Sequence, residues 1–210
     1  LKTAVARHRS AFLSNRQALL HGDLHSGSVM VTEDDTRVID GEFSTFGPIG
    51  FDLGAYAANL ILNWYAQGGY DRPADERDSH RQWLLEQVAV LWDSFRREFV
   101  AIWEQNPDTG GDLYPAAHFS GPAGAARLAT IRRDYVDAIF ADFVAFAAIK
   151  MIRRVISYAQ IADFGVIEDT KRRAEMQADA LAFAREVLKN PARFTDLGAF
   201  LDAIPRFEGT

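Results

Sequence analysis

The stretch HGDLHSGSVMVTEDDTRVIDGEF, residues 21–43, decides how the rest of this chain is interpreted. Its first part, residues 21–28, is a polar loop, and two short runs rich in Val and Ile follow it. The acidic residues at 33–35 separate those runs, as turn residues separate the strands of a β-hairpin. We therefore predict an antiparallel hairpin from residues 28–32 and 36–40, with the polar loop leading into it.

Three carboxylates flank this predicted hairpin. Asp23 lies on the polar loop, and Asp40 and Glu42 lie two residues apart where the second strand ends. Phosphoryl transfer requires a protein to position an acceptor hydroxyl and to neutralise charge, usually through Mg²⁺ held by carboxylates. We predict that Asp23 accepts the hydroxyl proton and that Asp40 and Glu42 bind the cation from one side of the strand end. Any one of these residues alone would be typical of an ordinary turn or strand end. The three together, in this order and with the hairpin between them, favour a functional site.

The remainder of the chain is predicted to be helical. Apolar residues recur at helical spacing in its long segments, and Trp83, Trp92 and Trp103 are expected in the core on this basis. Gly-Gly or Asn-Pro pairs indicate where several segments end. The fold class is therefore mainly α with a small β-hairpin, in one lobe that covers residues 1–210. The predicted helices cover residues 4–13, 51–67, 77–105, 126–161, 168–189 and 195–203, with a long loop at 106–124.

The composition argues against several classes of protein. With a net charge of −6 over 210 residues, the chain shows no basic stripe of the kind that nucleic-acid binding normally requires. Its most apolar stretch, residues 135–156, is interrupted by acidic and basic residues, which argues against a membrane span. No cysteine is present, so neither a disulfide framework nor a thiolate metal site is expected. We predict small-molecule partners, no nucleic acid, no membrane and a cytoplasmic location.

Further polar residues near the loop are candidates for supporting roles. Two histidines without a third ligand make a poor metal site, so we predict that His21 orders the loop by hydrogen bonding and that His25 contacts substrate. Asp52 lies at the start of the helix predicted at 51–67. Its carboxylate can cap free N–H groups of that helix or brace the polar loop, and both interpretations stay open.

Two adjacent arginines lie near the end of a mostly apolar helix. Arg153 and Arg154 need carboxylates or phosphates as partners, which suits substrate binding or salt bridges to acidic helices. Trp64-Tyr65 is a candidate for the lining of a sugar pocket. The sequence Asp163-Phe164-Gly165 imitates the metal motif of protein kinases but lies too far after Asp23, so we predict a helix-end turn there.

Three segments of the chain together resemble a known family. HGDLHSGSVMV at 21–31, VIDGEF at 38–43 and FGPIGFDLG at 46–54 resemble the catalytic loop and metal motif of the aminoglycoside-phosphotransferase-like kinases. Within that superfamily, Ser28 and the D-x-E triplet at 40–42 are similar to the methylthioribose kinase branch. The resemblance covers nearly the whole chain, but only the carboxy-terminal lobe of the family's protein-kinase-like α+β fold.

The resemblance implies roles for individual residues. Asp23 would be the catalytic base, while Asp40 and Glu42 would bind the Mg²⁺ that bridges the ATP phosphates. A hydroxyl is a poorer Mg²⁺ ligand than an amide oxygen, so Ser28 would support the site rather than bind the metal ion. The Arg153-Arg154 pair would lie beside the sugar.

The resemblance also implies partners and an activity. ATP and Mg²⁺ would be the cofactors, and the 1-hydroxyl of the sugar 5-methylthioribose would be phosphorylated, as in methionine salvage; a homodimer is implied as well. The amino-terminal nucleotide-binding lobe, with its Gly-rich loop and Lys, is absent from residues 1–210, so we expect a fragment that is inactive alone. Two alternatives stay open. One is a kinase of another small alcohol, such as choline or an aminoglycoside, and the other is a remnant with only a binding or structural role.

Overall fold

A computed structural model describes residues 1–106 and 116–209 of the chain, without the side chains of residues 116 and 117. The loop predicted at 106–124 falls partly on residues 107–115, which lie outside the described residues. Its second half was predicted wrongly. A short 3₁₀-helix, Ala116–Phe119, is followed by a long helix that begins at Gly121.

The described residues form helices joined by short strands, which confirms the predicted fold class. The long helix that begins at Gly121 has a proline at its second position, where the first turn needs no N–H donor, and it therefore begins earlier than predicted. The elements in chain order are α1 Lys2–Ser14, β1 Ala18–Leu20, β2 Val29–Val31, β3 Thr36–Val38, β4 Thr45–Gly47, α2 Gly50–Gln67, α3 Ala74–Gln105, α4 Gly121–Ile156, α5 Ala162–Gly165, α6 Thr170–Lys189 and α7 Leu197–Ala203.

The strands form two small antiparallel pairs. β2 and β3 pair with Val29 opposite Val38, which confirms the predicted hairpin. β1 and β4 pair with Leu19 opposite Phe46, and this second pair was not predicted, because a strand of three residues is too short to show a period. The β1–β4 pair closes a loop that contains the hairpin. It therefore brings the start of the polar loop close to the end of residues 40–43, the segment with Asp40 and Glu42 that we call the acidic turn.

Helices α2 and α4 pack against each other at very short range. A Cβ atom at Gly50 would lie 2.6 Å from the backbone nitrogen of Phe143, and one at Gly54 would lie 2.5 Å from its carbonyl oxygen. Any side chain at these two glycines would separate the helices. α2 and α4, together with α3 and α6, enclose one cluster of buried apolar residues. This contact places the start of α2 beside residues 139–147 of α4, one turn before Lys150, whose ammonium lies over the Phe51 ring.

Three sequence predictions about aromatic residues have mixed outcomes. Trp92 is buried as predicted, whereas Trp83 is 48% exposed and stacks on His80, so its core assignment was wrong. Trp64-Tyr65 lies in the core, where the Tyr65 hydroxyl donates a 2.7 Å hydrogen bond to the carbonyl of Ile204. These two residues therefore do not line a sugar pocket. The Asp163-Phe164-Gly165 sequence forms the short helix α5 and buries Phe164.

No helix among residues 1–106 and 116–209 is both long enough and apolar enough to cross a membrane. The predicted interruption of the 135–156 stretch accounts for this. α4 carries Lys150, Arg153 and Arg154 near its end, and such residues are costly in a lipid environment.

Candidate active site

The polar loop lies directly against the acidic turn. Gly22 has a φ of +87°, and a Cβ atom there would lie 2.1 Å from the carbonyl oxygen of Phe43. Only glycine allows both this backbone conformation and so close an approach. The neighbour of Gly22, Asp23, is therefore held near the turn that contains Asp40 and Glu42.

Asp52 braces the polar loop from the first turn of α2. One carboxylate oxygen, Oδ2, accepts a 2.6 Å hydrogen bond from the backbone N–H of His21, and Oδ1 accepts one of 3.1 Å from that of Gly22. The residue that precedes α2, Ile49, offers no side-chain cap. Of the two roles considered for Asp52, the geometry matches the brace.

We expect Asp52→Ala to lower kcat by about 10- to 100-fold for a reaction that uses Asp23 as its base. Small displacements of a catalytic group such as Asp23 have effects of this size. Two backbone N–H groups would lose their charged acceptor, and the loop would shift. Asp75→Ala is the matched control, since Asp75 also lies in the first turn of a helix but is exposed. Steady-state kinetics of both variants test this. Equal losses in the two variants would mean that Asp52 acts only on its own helix.

His21 connects the loop to the end of the hairpin. Its ring Nδ1 accepts from the backbone N–H of Asp23 at 3.4 Å, which leaves Nε2–H to donate to the carbonyl of Ile39 at 2.8 Å. These two bonds assign the tautomer with the proton on Nε2. The ring therefore ties the backbone of Asp23 to the strand that precedes Asp40, which is an ordering role of the kind predicted from the sequence.

Ser28 and His25 hold the second half of the loop in a 3₁₀ turn. The buried Ser28 hydroxyl donates to the His25 carbonyl at 2.8 Å and accepts from the His25 N–H at 3.0 Å. His25 Nδ1 accepts from the N–H of Gly27, so its Nε2–H points towards Asp23 Oδ2, 3.9 Å away. Burial lowers the pKa of His25 although the Asp23 charge opposes this, so the ring is neutral at pH 7.

Asp23 is surrounded by positive charge. Its Oδ1 lies 2.9 Å from the ammonium Nζ of Lys150 and 3.7 Å from Nη2 of Arg154. Partial burial alone would raise the pKa of Asp23, but the Lys150 hydrogen bond and the nearby charges outweigh this and hold the pKa below its ordinary value. Asp23 is therefore ionised at neutral pH, and His25 Nε2 lies 3.9 Å from its second oxygen, Oδ2.

The two arginines predicted to act together occupy different surroundings. Arg154 is partly buried, contacts Asp23 and donates to the carbonyl of Ala159 at 3.3 Å. Arg153 is exposed and points elsewhere on the helix surface, because adjacent residues on a helix lie about 100° apart. The structure thus places Arg154, and not Arg153, in contact with Asp23.

Asp40 and Glu42 were predicted to lie at a strand end, and this prediction was wrong. β3 ends at Val38, Asp40 adopts a left-handed conformation with a φ of 68°, and Glu42 lies in a 3₁₀ turn at Gly41–Phe43. The period-two argument for their common direction therefore does not apply. A left-handed residue redirects the chain so that the acidic turn meets Gly22.

The donor set at this turn suits Mg²⁺. Asp40 and Glu42 are exposed, and the Asp40 carboxylate makes no capping hydrogen bond to its turn. Among the described residues, no group of three or more His, Cys, Asp or Glu side chains is arranged to hold a metal ion. Mg²⁺ in phosphoryl-transfer sites is commonly bound by one or two carboxylates together with phosphate oxygens and water, so two carboxylates fit this ion.

Lys150 contacts Asp23 in the structure but was not predicted as a site residue from the sequence. In the sequence, Lys150 is one of the charged residues that interrupt the apolar stretch at 135–156. Its spacing of four residues from Arg154 places both cations on one face of α4. A lone Lys within an apolar helix, on the same face as an Arg already proposed for the site, was the available signal.

The first half of the chain matches a protein family. The model of the phosphotransferase enzyme family matches residues 1–105 of this chain, which is the half that contains the polar loop, the acidic turn and Asp52.

The chain is also similar to methylthioribose kinases of plants and bacteria. It is 36% identical over 208 residues to methylthioribose kinase 1 of Oryza sativa subsp. japonica, covering 99% of this chain and 48% of that protein. The methylthioribose kinase of Escherichia coli O45:K1 is 36% identical over 197 residues, covering 94% and 46% respectively. That of Bacillus mycoides is 32% identical over 200 residues, covering 95% and 45%. The chain spans about half the length of the curated relatives it matches.

Proposed function

The chain belongs to the phosphotransferase enzyme family, and from this premise we propose that it forms the acceptor- and metal-binding part of an ATP-dependent kinase. The acceptor that we propose is the 1-hydroxyl of 5-methylthioribose. A role in methionine salvage and a location in the cytoplasm are parts of the same proposal, and so is a homodimer.

The observation that carries this proposal is the arrangement around Asp23. A partly exposed, ionised carboxylate is held on one oxygen by Lys150, and its other oxygen lies 3.9 Å from a neutral histidine. Gly22 holds the same loop against the turn that carries Asp40 and Glu42. A base and two ligands suited to Mg²⁺ thus lie on adjacent backbone segments, as phosphoryl transfer to an alcohol requires.

The proposed reaction uses these residues as follows. The acceptor hydroxyl donates its hydrogen bond to Asp23 Oδ2, and its oxygen attacks the γ-phosphorus of ATP. The bond from that phosphorus to the ADP oxygen breaks, and the hydroxyl proton passes to Asp23. Mg²⁺, when bound by Asp40 and Glu42, supplies positive charge to the phosphate oxygens.

The names of the relatives support the choice of acceptor. Each similar protein described above is a methylthioribose kinase, and each match covers more than nine-tenths of this chain. Arg154 lies one helical turn from Lys150 and contacts Asp23, so its guanidinium borders the place that the acceptor hydroxyl would occupy.

The test is a phosphorylation assay of the protein encoded by the complete reading frame. We expect ATP-dependent phosphorylation of 5-methylthioribose to exceed that of ribose, choline and an aminoglycoside in kcat/KM. Turnover of another alcohol in preference would replace the proposed acceptor. Turnover of none of them would overturn the kinase proposal itself.

Replacing Arg154 with Met is expected to raise the KM for the sugar by about tenfold or more while the KM for ATP changes little, since a charge-assisted hydrogen bond contributes about 1.5–3 kcal/mol. Arg185→Met, on α6, is the control. Initial rates measured with each substrate varied in turn give both constants. An equal rise in the two KM values would argue against a sugar contact by Arg154.

A further inference from the structure

A buried ammonium group lies behind the proposed base. Lys150 is 5% exposed, and its Nζ lies 2.9 Å from Asp23 Oδ1 and 5.1 Å from the centre of the Phe51 ring. Burial of a charged group is costly unless the group is paired. Lys150 has Asp23 as its carboxylate partner and the face of an aromatic ring as its second contact.

We propose that Lys150 is a positioning residue for phosphoryl transfer, holding Asp23 Oδ1 so that Oδ2 faces the acceptor hydroxyl. This inference rests on the proposed function, because it takes Asp23 as the base. A carboxylate has two equivalent oxygens and rotates easily about its side-chain bonds. A fixed donor on one of them decides which oxygen the substrate meets.

The packing of α2 against α4 gives this donor a fixed position. Gly50 and Gly54 let α2 approach α4 so closely that a Cβ atom at either glycine would clash with the backbone of α4. α2 carries Asp52, which holds the backbone of the loop, and α4 carries Lys150, which holds the Asp23 side chain. Two helices in direct contact therefore fix the same loop at two points.

The other charged groups that face Asp23 cannot replace Lys150. Arg154, also on α4, lies 3.7 Å from the same oxygen, and His25, on the loop itself, lies 3.9 Å from the opposite one. Both distances exceed a hydrogen bond. Without Lys150, neither of these groups lies within hydrogen-bond distance of Asp23, and we expect the carboxylate to rotate so that Oδ2 loses its fixed direction.

The direct test is Lys150→Met in the protein encoded by the complete reading frame. We expect kcat to fall by about 10- to 100-fold, as for other displaced catalytic groups, with little change in the KM for ATP. The acidic limb of the pH profile of kcat should move to higher pH by about one unit, because a cation beside a carboxylate favours its ionised form. Lys171→Met, an exposed lysine on α6, is the matched control.

A second measurement separates positioning from general structural support. In an Asp23→Asn background, Lys150→Met should lower the residual kcat by less than about twofold, since a residue that acts through Asp23 has nothing left to position. A loss as large as that in the parent protein would overturn the proposal. So would a Lys150→Met variant with an unchanged pH profile.

The test also distinguishes this inference from the proposed function. If the parent protein phosphorylates no alcohol, the proposed function fails. NMR titration of the Asp23 carboxyl in the parent protein and in Lys150→Met still reports whether Lys150 holds that carboxyl. If Lys150→Met does not fold, Lys150→Gln keeps a hydrogen-bond donor without the charge. That variant should keep more of kcat than Asp23→Asn does, and an equal loss would overturn the positioning role.

Discussion

Asp23→Asn is expected to lower kcat for sugar phosphorylation by about 10²- to 10⁴-fold, the usual range for loss of a general base. The amide is nearly the same shape as the carboxylate, and its oxygen can still accept from Lys150. It cannot take up the acceptor proton. We therefore expect ATP binding to change by less than about twofold, because this residue would touch the acceptor and not the nucleotide.

Kinetics and equilibrium binding of ATP are both needed for this variant. Asp202→Asn, an exposed residue on α7, is the control for the amide substitution. The Asn side chain leaves Lys150 buried without a counter-charge, so thermal unfolding should also be measured. An Asp23→Asn protein that is folded and retains most of its kcat would exclude the base role.

Asp40→Asn is expected to lower kcat by about 100-fold or more at physiological Mg²⁺, comparable to the loss of one electrostatic group at a reacting centre. Asparagine is suited to this test because, like aspartate, it tolerates the left-handed conformation found at residue 40. The substitution therefore removes one negative charge from the metal site with little change in the backbone. High Mg²⁺ concentrations should restore part of the activity.

The measurement is a titration of rate against Mg²⁺ at fixed ATP. Asp34→Asn is the matched control, since Asp34 lies in the exposed hairpin turn. Glu42→Gln should shift the Mg²⁺ requirement in the same direction. If the Mg²⁺ requirement of Asp40→Asn matched that of the parent, Asp40 would not be a metal ligand.

Local signals in the sequence accounted for much of the fold. The hairpin at β2 and β3 follows from Val and Ile runs around acidic turn residues, and the predicted antiparallel pairing is confirmed. The helices follow from apolar periodicity, although their ends shift by several residues. α4 ends at Ile156 and not near residue 161, because periodicity alone does not mark a helix end when no glycine or proline stands there.

The failures have a common cause. Trp83 follows the spacing of a core residue, but it is 48% exposed in the folded chain. β1 and β4 are too short to show a pattern, yet their pairing closes the loop that contains the hairpin. Whether a residue is buried depends on which elements pack against it, and spacing along the chain does not contain that information.

By itself, the sequence determined the polar loop, the acidic turn and the family to which they belong, because those residues are contiguous and their order carries the chemistry. Only the tertiary structure decided which groups act on Asp23. Lys150 lies 127 residues from Asp23 along the chain, and Asp52 lies 31 residues from His21. These contacts exist because two glycines let α2 and α4 pack at close range, and that packing is a property of the folded chain.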